Sequence, residues 1–477
     1  MYGSIHTHFE DSYDAVNDIK QAVLQFILQG AVKVAATGHG VFTEFEDIQD
    51  AIAEARAKSD EVKKVLSDAG YKLSLTRTKE GRLVPQLMDS TSSEVIMSSS
   101  NDEIKSFVSS IGITDHLTQE NNESILKRPD LAATYIAMVD EFEVIPGIEA
   151  YFENDKSHMI LIAKDYQGYC SLSKIISQSS DDYNEVPIVT LENLEKNVDR
   201  DHLYCTSACI AGIFGKPLVL RSYNLEQKIK NLQTLLNEVN FDKCRELLEN
   251  QKIYKKTKKA TKAEETKAER LIKKENDYSL QEEVDRKNAE YAYAQEQLTL
   301  NAENYIVAER VCKANNRRFN QLLSYQEELD NINIIKEDTR ENLKDLYYNL
   351  ESIFGKENFF FEIQNHGLES EKEVYNEIIK FAYEVDNPNF IASNDIHVCV
   401  AKGTTKEEHQ ALEDALLKRN VAKFGRFNKY QDPTEDDKEY YIKTDVELKD
   451  ALVDVIDEEV CLDRSKDQLI ANSLFNV

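Results

Sequence analysis

The chain has 477 residues, 41% of them hydrophobic, enough for roughly two or three domains' worth of core or one domain with large insertions. A formal net charge of −29 excludes general nucleic-acid binding over most of the surface and confines such contact to a local patch, a metal site or a partner. Seven scattered cysteines without a C-x-x-C pair, and no apolar run near about 18 residues, argue against a disulfide framework and a membrane span. A cytoplasmic protein with reduced thiols is expected, and a start that runs directly into a histidine pair leaves no room for a signal peptide.

Ile5-His6-Thr7-His8 reads as a short strand. Alternate side chains of a strand share a face, so His6 and His8 can converge on one ion. An amphipathic helix is predicted from about Val16 to Gly30, with Ile19, Ala22, Val23, Phe26 and Ile27 on one stripe and Gly30 at its end. The buried strand 32–36 then delivers Thr37-Gly38-His39-Gly40, and a helix follows from about Phe45 to Ala57. Strand–helix–strand–helix is the opening of an α/β barrel or parallel sheet, with chemistry at the strands' carboxyl ends.

Residues 58–140 break that rhythm with a helix, a hairpin around Tyr71–Leu75 and Leu83–Pro85, and a Ser-rich stretch, and read as an insertion. Strands resume at 143–149 and 158–163, followed by a helix near 168–177 and a strand at 203–207 that leads to Cys209. Over 222–341 the composition shifts to Lys, Glu, Gln, Asn and Leu. Leu225, Ile229, Leu232, Leu236 and Val239 form a short heptad run, and Val284, Tyr291, Leu298, Tyr305, Cys312 and Phe319 recur every seven residues, which predicts an antiparallel coiled-coil hairpin. The basic run Lys252–Lys274 near its tip reads either as a solvated, partly disordered tip or as a contact for nucleic acid or an acidic partner. After it come a strand at 359–364, a helix at 372–385, a strand at 390–393 that presents Asp395 and His397, and helices around a short strand at 440–443.

His6, His8, Asp14, His39, Glu149, His158, Cys209, Asp395 and His397 stand at or near predicted strand ends. Nine N, O and S donors exceed one ion's needs and suit two or three divalent ions such as Zn²⁺, Mn²⁺ or Fe²⁺. With their surroundings (HTHFEDSYDAV, ATGHG, PGIEAYF, SHMILIAKDYQGYCSLSKIIS, SACIAG, FFFEIQNHGLESE, SNDIH and EYYIKT) they resemble the PHP (polymerase and histidinol phosphatase) domain, in the version that opens the α subunit of bacterial DNA polymerase III.

The resemblance implies a distorted, TIM-like (β/α)₇ barrel over 1–57, 141–221 and 342–400, interrupted by the mixed insertion 58–140 and the helical insertion 222–341 and extended by a helical 401–477. It implies one ion on His6, His8 and Asp395, a second on His158 and Cys209 with Glu149 bridging the two, and a third on Asp14, His39 and His397. Glu149, His8 and Asp395 are then the expected catalytic residues. The implied chemistry is metal-dependent phosphoester hydrolysis, with a 3′–5′ exonuclease acting on a DNA 3′ end in replication as the sharpest form. A non-catalytic scaffold that docks a replication protein or polymerase through the 222–341 arm, and a small-molecule phosphatase, stand as alternatives. Too little chain follows His397 for a polymerase core, so a stand-alone form without DNA synthesis is expected. Two departures accompany the resemblance: Gly38 stands where the family usually has Asp before the histidine, and Asp14 falls one residue early. The insertion also carries an Ile113-Thr114-Asp115-His116 stretch, but His39 is preferred to His116 because its distance from His8 fits and a helix follows it.

Overall fold

The computed structural model describes all residues except 1, 10–14, 16–18, 41–43, 78–82, 99–128, 154, 182–185, 239–240, 276–280, 402–409, 411–439 and 476–477. The chain forms two compact units, one of residues 1–220 with 337–477 and one of residues 221–336.

The first unit is built on a curled, mostly parallel sheet. Its strands are β1 (Tyr2–Ser4), β2 (Ala31–Ala36), β6 (Glu143–Phe152), β7 (Ser157–Ala163), β8 (Ile188–Val189), β9 (Leu203–Thr206), β10 (Phe359–Ile363) and β11 (Phe390–Ala392). They lie in the order β1-β2-β6-β7-β9-β10-β11, with β8 beside β6. All neighbours are parallel except β7, which runs antiparallel to both β6 and β9. The ladder does not close between β1 and β11. Instead the segments that follow those strands meet at one parallel bridge, Thr7 to Ile396. The closed seven-stranded barrel implied by the resemblance is therefore met only in part. Both edge strands are three residues long, and the chain leaves them to aim side chains inward.

The predicted first strand at 5–8 differs in detail, because the ladder ends at Ser4 and the two histidines lie just past it. Helix α1 (Ile19–Leu28) buries eight of its ten residues, from Ile19 to Leu28, against the sheet and its neighbours. Burying a side chain such as Phe26 contributes about 1.5–3 kcal/mol, and its ring stands 6.4 Å from those of Phe9 and Phe142. Gly30 ends the helix at φ 77°, a left-handed turn in which a side chain would be strained. Helix α2 (Glu44–Asp68) runs well past the predicted end at 57, and α3 (Pro129–Met138) packs with α1 and α2.

Between them lies a separate antiparallel sheet of β3 (Tyr71–Arg77), β4 (Leu83–Asp89) and β5 (Val95–Ser98). The hairpin was legible in sequence, whereas β5 comes from the stretch read only as Ser-rich. Helices α4 (Tyr166–Asp181) and α5 (Leu191–Asn197) follow β7 and β8.

The second unit contains α6 (Arg221–Glu238), α7 (Phe241–Glu275), α8 (Gln281–Leu300) and α9 (Ala302–Ile334). Helix α7 packs on α8 and α9, and α9 on α6. The seam buries Leu225, Val284, Tyr305, Ala308, Asn315 and Leu322. Phe319, expected in that seam, is 52% exposed, while Ala308, Asn315 and Leu322, spaced by seven, are buried, because a straight helix drifts by about 20° per heptad against a seven-residue repeat. The basic run is helical and lies within α7.

Back in the first unit, α10 (Lys336–Phe354, entering from the second), α11 (Glu369–Glu384), α12 (Asp445–Val455) and α13 (Lys466–Phe475) complete the helices used below. Phe214, Phe359, Phe361 and Phe381, all fully buried, make an aromatic cluster under β10 and α11. Strands β12 (Val398–Ala401) and β13 (Tyr441–Ile442) pair in parallel beyond the main sheet. No helix among the described residues is long and apolar enough to cross a membrane.

Candidate metal centre

The donors meet at the carboxyl end of the parallel strands. His6 and His8 sit on an extended segment clamped from both sides: His8 N donates to Ile396 O at 2.8 Å, Ile396 N to His6 O at 3.1 Å and Thr37 N to Thr7 O at 2.9 Å. Thr7, facing away, receives Ser4 Oγ at 2.9 Å. His39 follows β2 and is stitched to Glu149 of β6, where Gly40 N donates to Glu149 O at 2.9 Å and Glu149 N to Gly38 O at 3.1 Å. His158 is the second residue of β7. Because β7 runs antiparallel, its start lies beside the carboxyl ends of its neighbours, opposite Tyr151 of β6. Cys209 stands on the loop after β9, and Asp395 and His397 on the loop after β11.

Both loops are sharply turned at the site. Ala208 has φ 58° and Asp395 φ 42°, left-handed values that L side chains adopt at a cost. Gly212 closes the Cys209 loop; a Cβ there would stand 1.9 Å from Ser207 O. Of the nine candidate donors, eight are described and brought together. Asp14 lies outside the described residues, as does His116.

Three overlapping groups emerge, each with donor atoms near enough to hold an ion: His6, His8 and Asp395; His8, His39 and Glu149; and Glu149, His158 and Cys209. In the first, Nε2 of His6 and of His8 are 3.1 Å apart, and each is 3.2 Å from Asp395 Oδ1. Nε2 of His397 is 3.0 Å from that same oxygen. Glu149 divides its oxygens: Oε1 faces His158 Nδ1 at 2.7 Å and His6 Nε2 at 3.5 Å, while Oε2 faces His39 Nδ1 at 2.8 Å and His8 Nε2 at 3.4 Å. Cys209 Sγ stands 3.6 Å from His158 Nδ1 and 3.8 Å from Glu149 Oε1. The resemblance implies that His39 joins Asp14, which lies outside the described residues, and His397; among the described residues His39 Nδ1 stands 2.8 Å from Glu149 Oε2. His8 and His397 stack with centroids 4.2 Å apart.

The donors fit divalent ions. Asp395 Oδ1 is buried and makes no well-aligned hydrogen bond, although three imidazole nitrogens surround it within 3.2 Å. Lone pairs converging on a common space in this way are what a cation requires. Ligands bound at roughly 2.0–2.2 Å to one ion stand about 3–3.5 Å from one another, the spacing seen in the first group. Mixed N, O and S donors suit Zn²⁺ and related ions.

At His6, His8, Glu149, Cys209 and Asp395 burial works against charge, and neighbours decide the outcome. At His6 desolvation is outweighed by Asp395, Glu362 and Glu149, which raise its pKa well above the usual value. At His8 burial, reinforced by His397 and His39, pushes it down to about 3 and leaves a neutral ligand. Desolvation would raise Glu149, but His158, His39 and His6 hold it well below the ordinary carboxylate range. Asp395 is likewise held low by His6 and His397 against its burial. Burial, with Glu149 and Asp395, drives the Cys209 thiol well up. Two ionised carboxylates beside a neutral imidazole are the donor states of a metal site.

Two residue groups outside the nine candidate donors support the centre. Glu362, fully buried on β10, accepts from His6 Nδ1 at 2.8 Å and so turns Nε2 toward the centre. It is itself fixed by Thr206 Oγ1 at 2.5 Å and by Gln364 Nε2 at 2.7 Å. Its place two residues before Gln364 in a buried strand was the available signal, since a charged residue there needs a partner. The second group is built on His366. Its Nδ1 meets Glu371 Oε1 at 2.7 Å and its Nε2 meets Asn394 O at 2.7 Å, so it braces the loop that carries Asp395.

A family profile described as PHP domain matches residues 4–257, more than half of the chain. The match includes His6, His8, His39, Glu149, His158 and Cys209. Glu362, Asp395 and His397 lie beyond it and reach the centre through the fold. No curated protein sequence matches the chain.

Proposed function

Because the chain belongs to the PHP domain family, we propose that its buried donor cluster is the active site of a metal-dependent phosphoesterase. PHP domains are mostly metal-dependent hydrolases. The observation that carries the reading is Asp395 Oδ1, ringed by His6, His8 and His397 without an aligned hydrogen bond. His6, His8 and Asp395 would hold one ion and Glu149, His158 and Cys209 another, with His39 and His397 beside them. Bound divalent ions supply a water of lowered pKa and neutralise charge on the attacked phosphate. The chain's own part is positioning. Glu362 sets the His6 tautomer, His366 braces Asp395, and Glu149 stands between the two groups, with Oε1 toward His158 and His6 and Oε2 toward His39 and His8. We assign the substrate class as phosphodiesters, with a DNA 3′ end in a replication setting as its sharpest form.

A His6→Ala/His8→Ala variant beside Glu149→Gln tests this. Bound Zn, Mn and Fe are measured together with cleavage of a chromogenic phosphodiester, a phosphomonoester and single-stranded DNA. The double variant should lose metal, and Glu149→Gln should lose at least about a hundredfold in rate while keeping some metal. A second reading, a structural centre in a scaffold, is favoured by the burial of the donors: even His158 exposes only 17% of its side chain, and catalytic sites keep an open position. Wild type that holds its ions tightly yet cleaves none of the three substrates would establish that reading instead.

A further inference from the structure

The basic run has no part in the proposed chemistry, yet it is organised. Between Lys252 and Lys262 six lysines occur with no Asp or Glu, within a helix rather than a coil. Lys255, Lys258, Lys259 and Lys262 recur at helical spacing and therefore share one face of α7. With Thr266 and with Tyr291 of α8 they line an open cleft of about 570 Å³. The ammonium groups of Lys258 and Lys262 lie 5.6 and 5.5 Å from the centre of the Tyr291 ring. Beyond the run carboxylates return and are paired, Lys262 with Glu265 at 2.9 Å and Lys287 with Glu264 at 2.7 Å. Among the described residues Lys255, Lys258 and Lys259 enter no ion pair. Charge is divided by unit in the same sense. Residues 221–336 carry 22 Lys and Arg against 20 Asp and Glu, so the chain's net −29 resides entirely in the other unit.

We infer that this cleft binds single-stranded nucleic acid. Lys255, Lys258 and Lys259, crowded on one helix face with no ion pair among the described residues, are stabilised by a polyanion whose phosphates they neutralise. Rings among the lysines select nucleic acid over an acidic protein, because bases stack on aromatic faces while the backbone follows the cations. Tyr291 lines the cleft, and outside it Tyr293, 56% exposed, stands edge-on to Tyr254 at 6.2 Å. The inference concerns the helical unit alone and holds whichever chemistry the metal centre performs.

The test uses the full chain in EDTA, so that the metal centre neither binds through ions nor cleaves the probe. Anisotropy of a fluorescent oligothymidylate of about 20 nucleotides is followed from about 0.05 to 0.3 M KCl. Lys255→Gln/Lys258→Gln/Lys259→Gln/Lys262→Gln should weaken binding at least about tenfold. It should also flatten the slope of log K against log salt by about 2–3, at roughly 0.7 for each phosphate no longer neutralised by a lysine. Tyr291→Leu should weaken it at least about fivefold. Lys255→Gln/Lys259→Gln, which leaves both lysines over Tyr291 in place, should show an intermediate loss and serves if the fourfold variant fails to fold. Arg221→Gln/Lys228→Gln/Lys230→Gln/Lys336→Gln removes the same charge from the same unit and should change affinity much less. No binding by wild type, an unaltered fourfold variant, an equal loss in the charge-matched variant, or a Tyr291→Leu variant that binds like wild type would each overturn the assignment. Hydrolysis by the metal-loaded chain is scored separately, so either claim can fail without the other.

Discussion

Glu362 shows how much of the centre depends on one side chain that bears no ion itself. Its buried carboxylate accepts from His6 Nδ1 at 2.8 Å, which turns Nε2 toward the proposed ion site. Glu362→Gln keeps the shape and much of the hydrogen bonding but weakens the acceptor. It should cost about 10–100-fold in metal affinity, measured by competition with a chelator, with little change in thermal unfolding. An affinity equal to wild type would show that His6 is oriented by packing alone. Glu371 works one step further out, accepting from His366 N and Nδ1, both at 2.7 Å, and from Leu368 N at 3.0 Å. Glu371→Ala leaves two buried donors and one half-buried donor without that partner and releases the brace on Asn394. We expect a stability loss of about 2–4 kcal/mol in denaturant unfolding, together with reduced metal occupancy. A variant that melts like wild type would remove His366 from the account of Asp395.

At the scale of elements, β7 is the strand that departs from the parallel pattern, and the departure places His158. Run parallel to β6, its second residue would lie at the opposite end of the sheet from Glu149. The Cys209 loop is held by packing a few residues on. Phe214 is fully buried, with ring centroids 5.5 Å from Phe361 and 5.0 Å from Phe381, and so ties the loop to β10 and α11. Phe214→Ala should cost about 3–5 kcal/mol through reduced burial and the cavity left behind. In the folded variant, occupancy of the ion shared by Glu149, His158 and Cys209 should fall more than that on His6, His8 and Asp395. Equal loss at both, resolved by metal titration, would mean that the cluster responds as one body.

The whole molecule divides its tasks between two units with separate interiors. The helical unit buries its own seam, including Val284, Ala294, Tyr305, Ala308 and Leu322. Replacement of 221–336 by a Gly-Ser linker should therefore leave a cooperative melt and the metal content of the first unit intact. Loss of either, read by calorimetry and elemental analysis, would show that the helices support the sheet. The sequence-derived arm was drawn at 222–341, and the compact unit ends at 336 because α10 turns its side chains Leu343, Tyr347, Leu350 and Phe354 into the other core.

Sequence alone determined the alternation of strands and helices, the histidine pair at 6 and 8, the Asp-x-His at 395 and 397 and the heptad helices, because period, cap and spacing are local properties of the chain. Gly30 could be placed for the same reason. Convergence was decided only by the tertiary structure. Cys209 is 60 residues from Glu149 and 51 from His158, and no local pattern says that His39 faces Glu149, that β7 reverses, or that Glu362 reaches His6 across 356 residues. The exposure of Phe319 follows the same logic, since a heptad count takes no account of the drift of a straight helix, which buries Leu322 instead. Periodicity is set by neighbours along the chain; a buried charge is set by whatever folding brings within 3 Å or so of it, and that distance exists only once the sheet has curled.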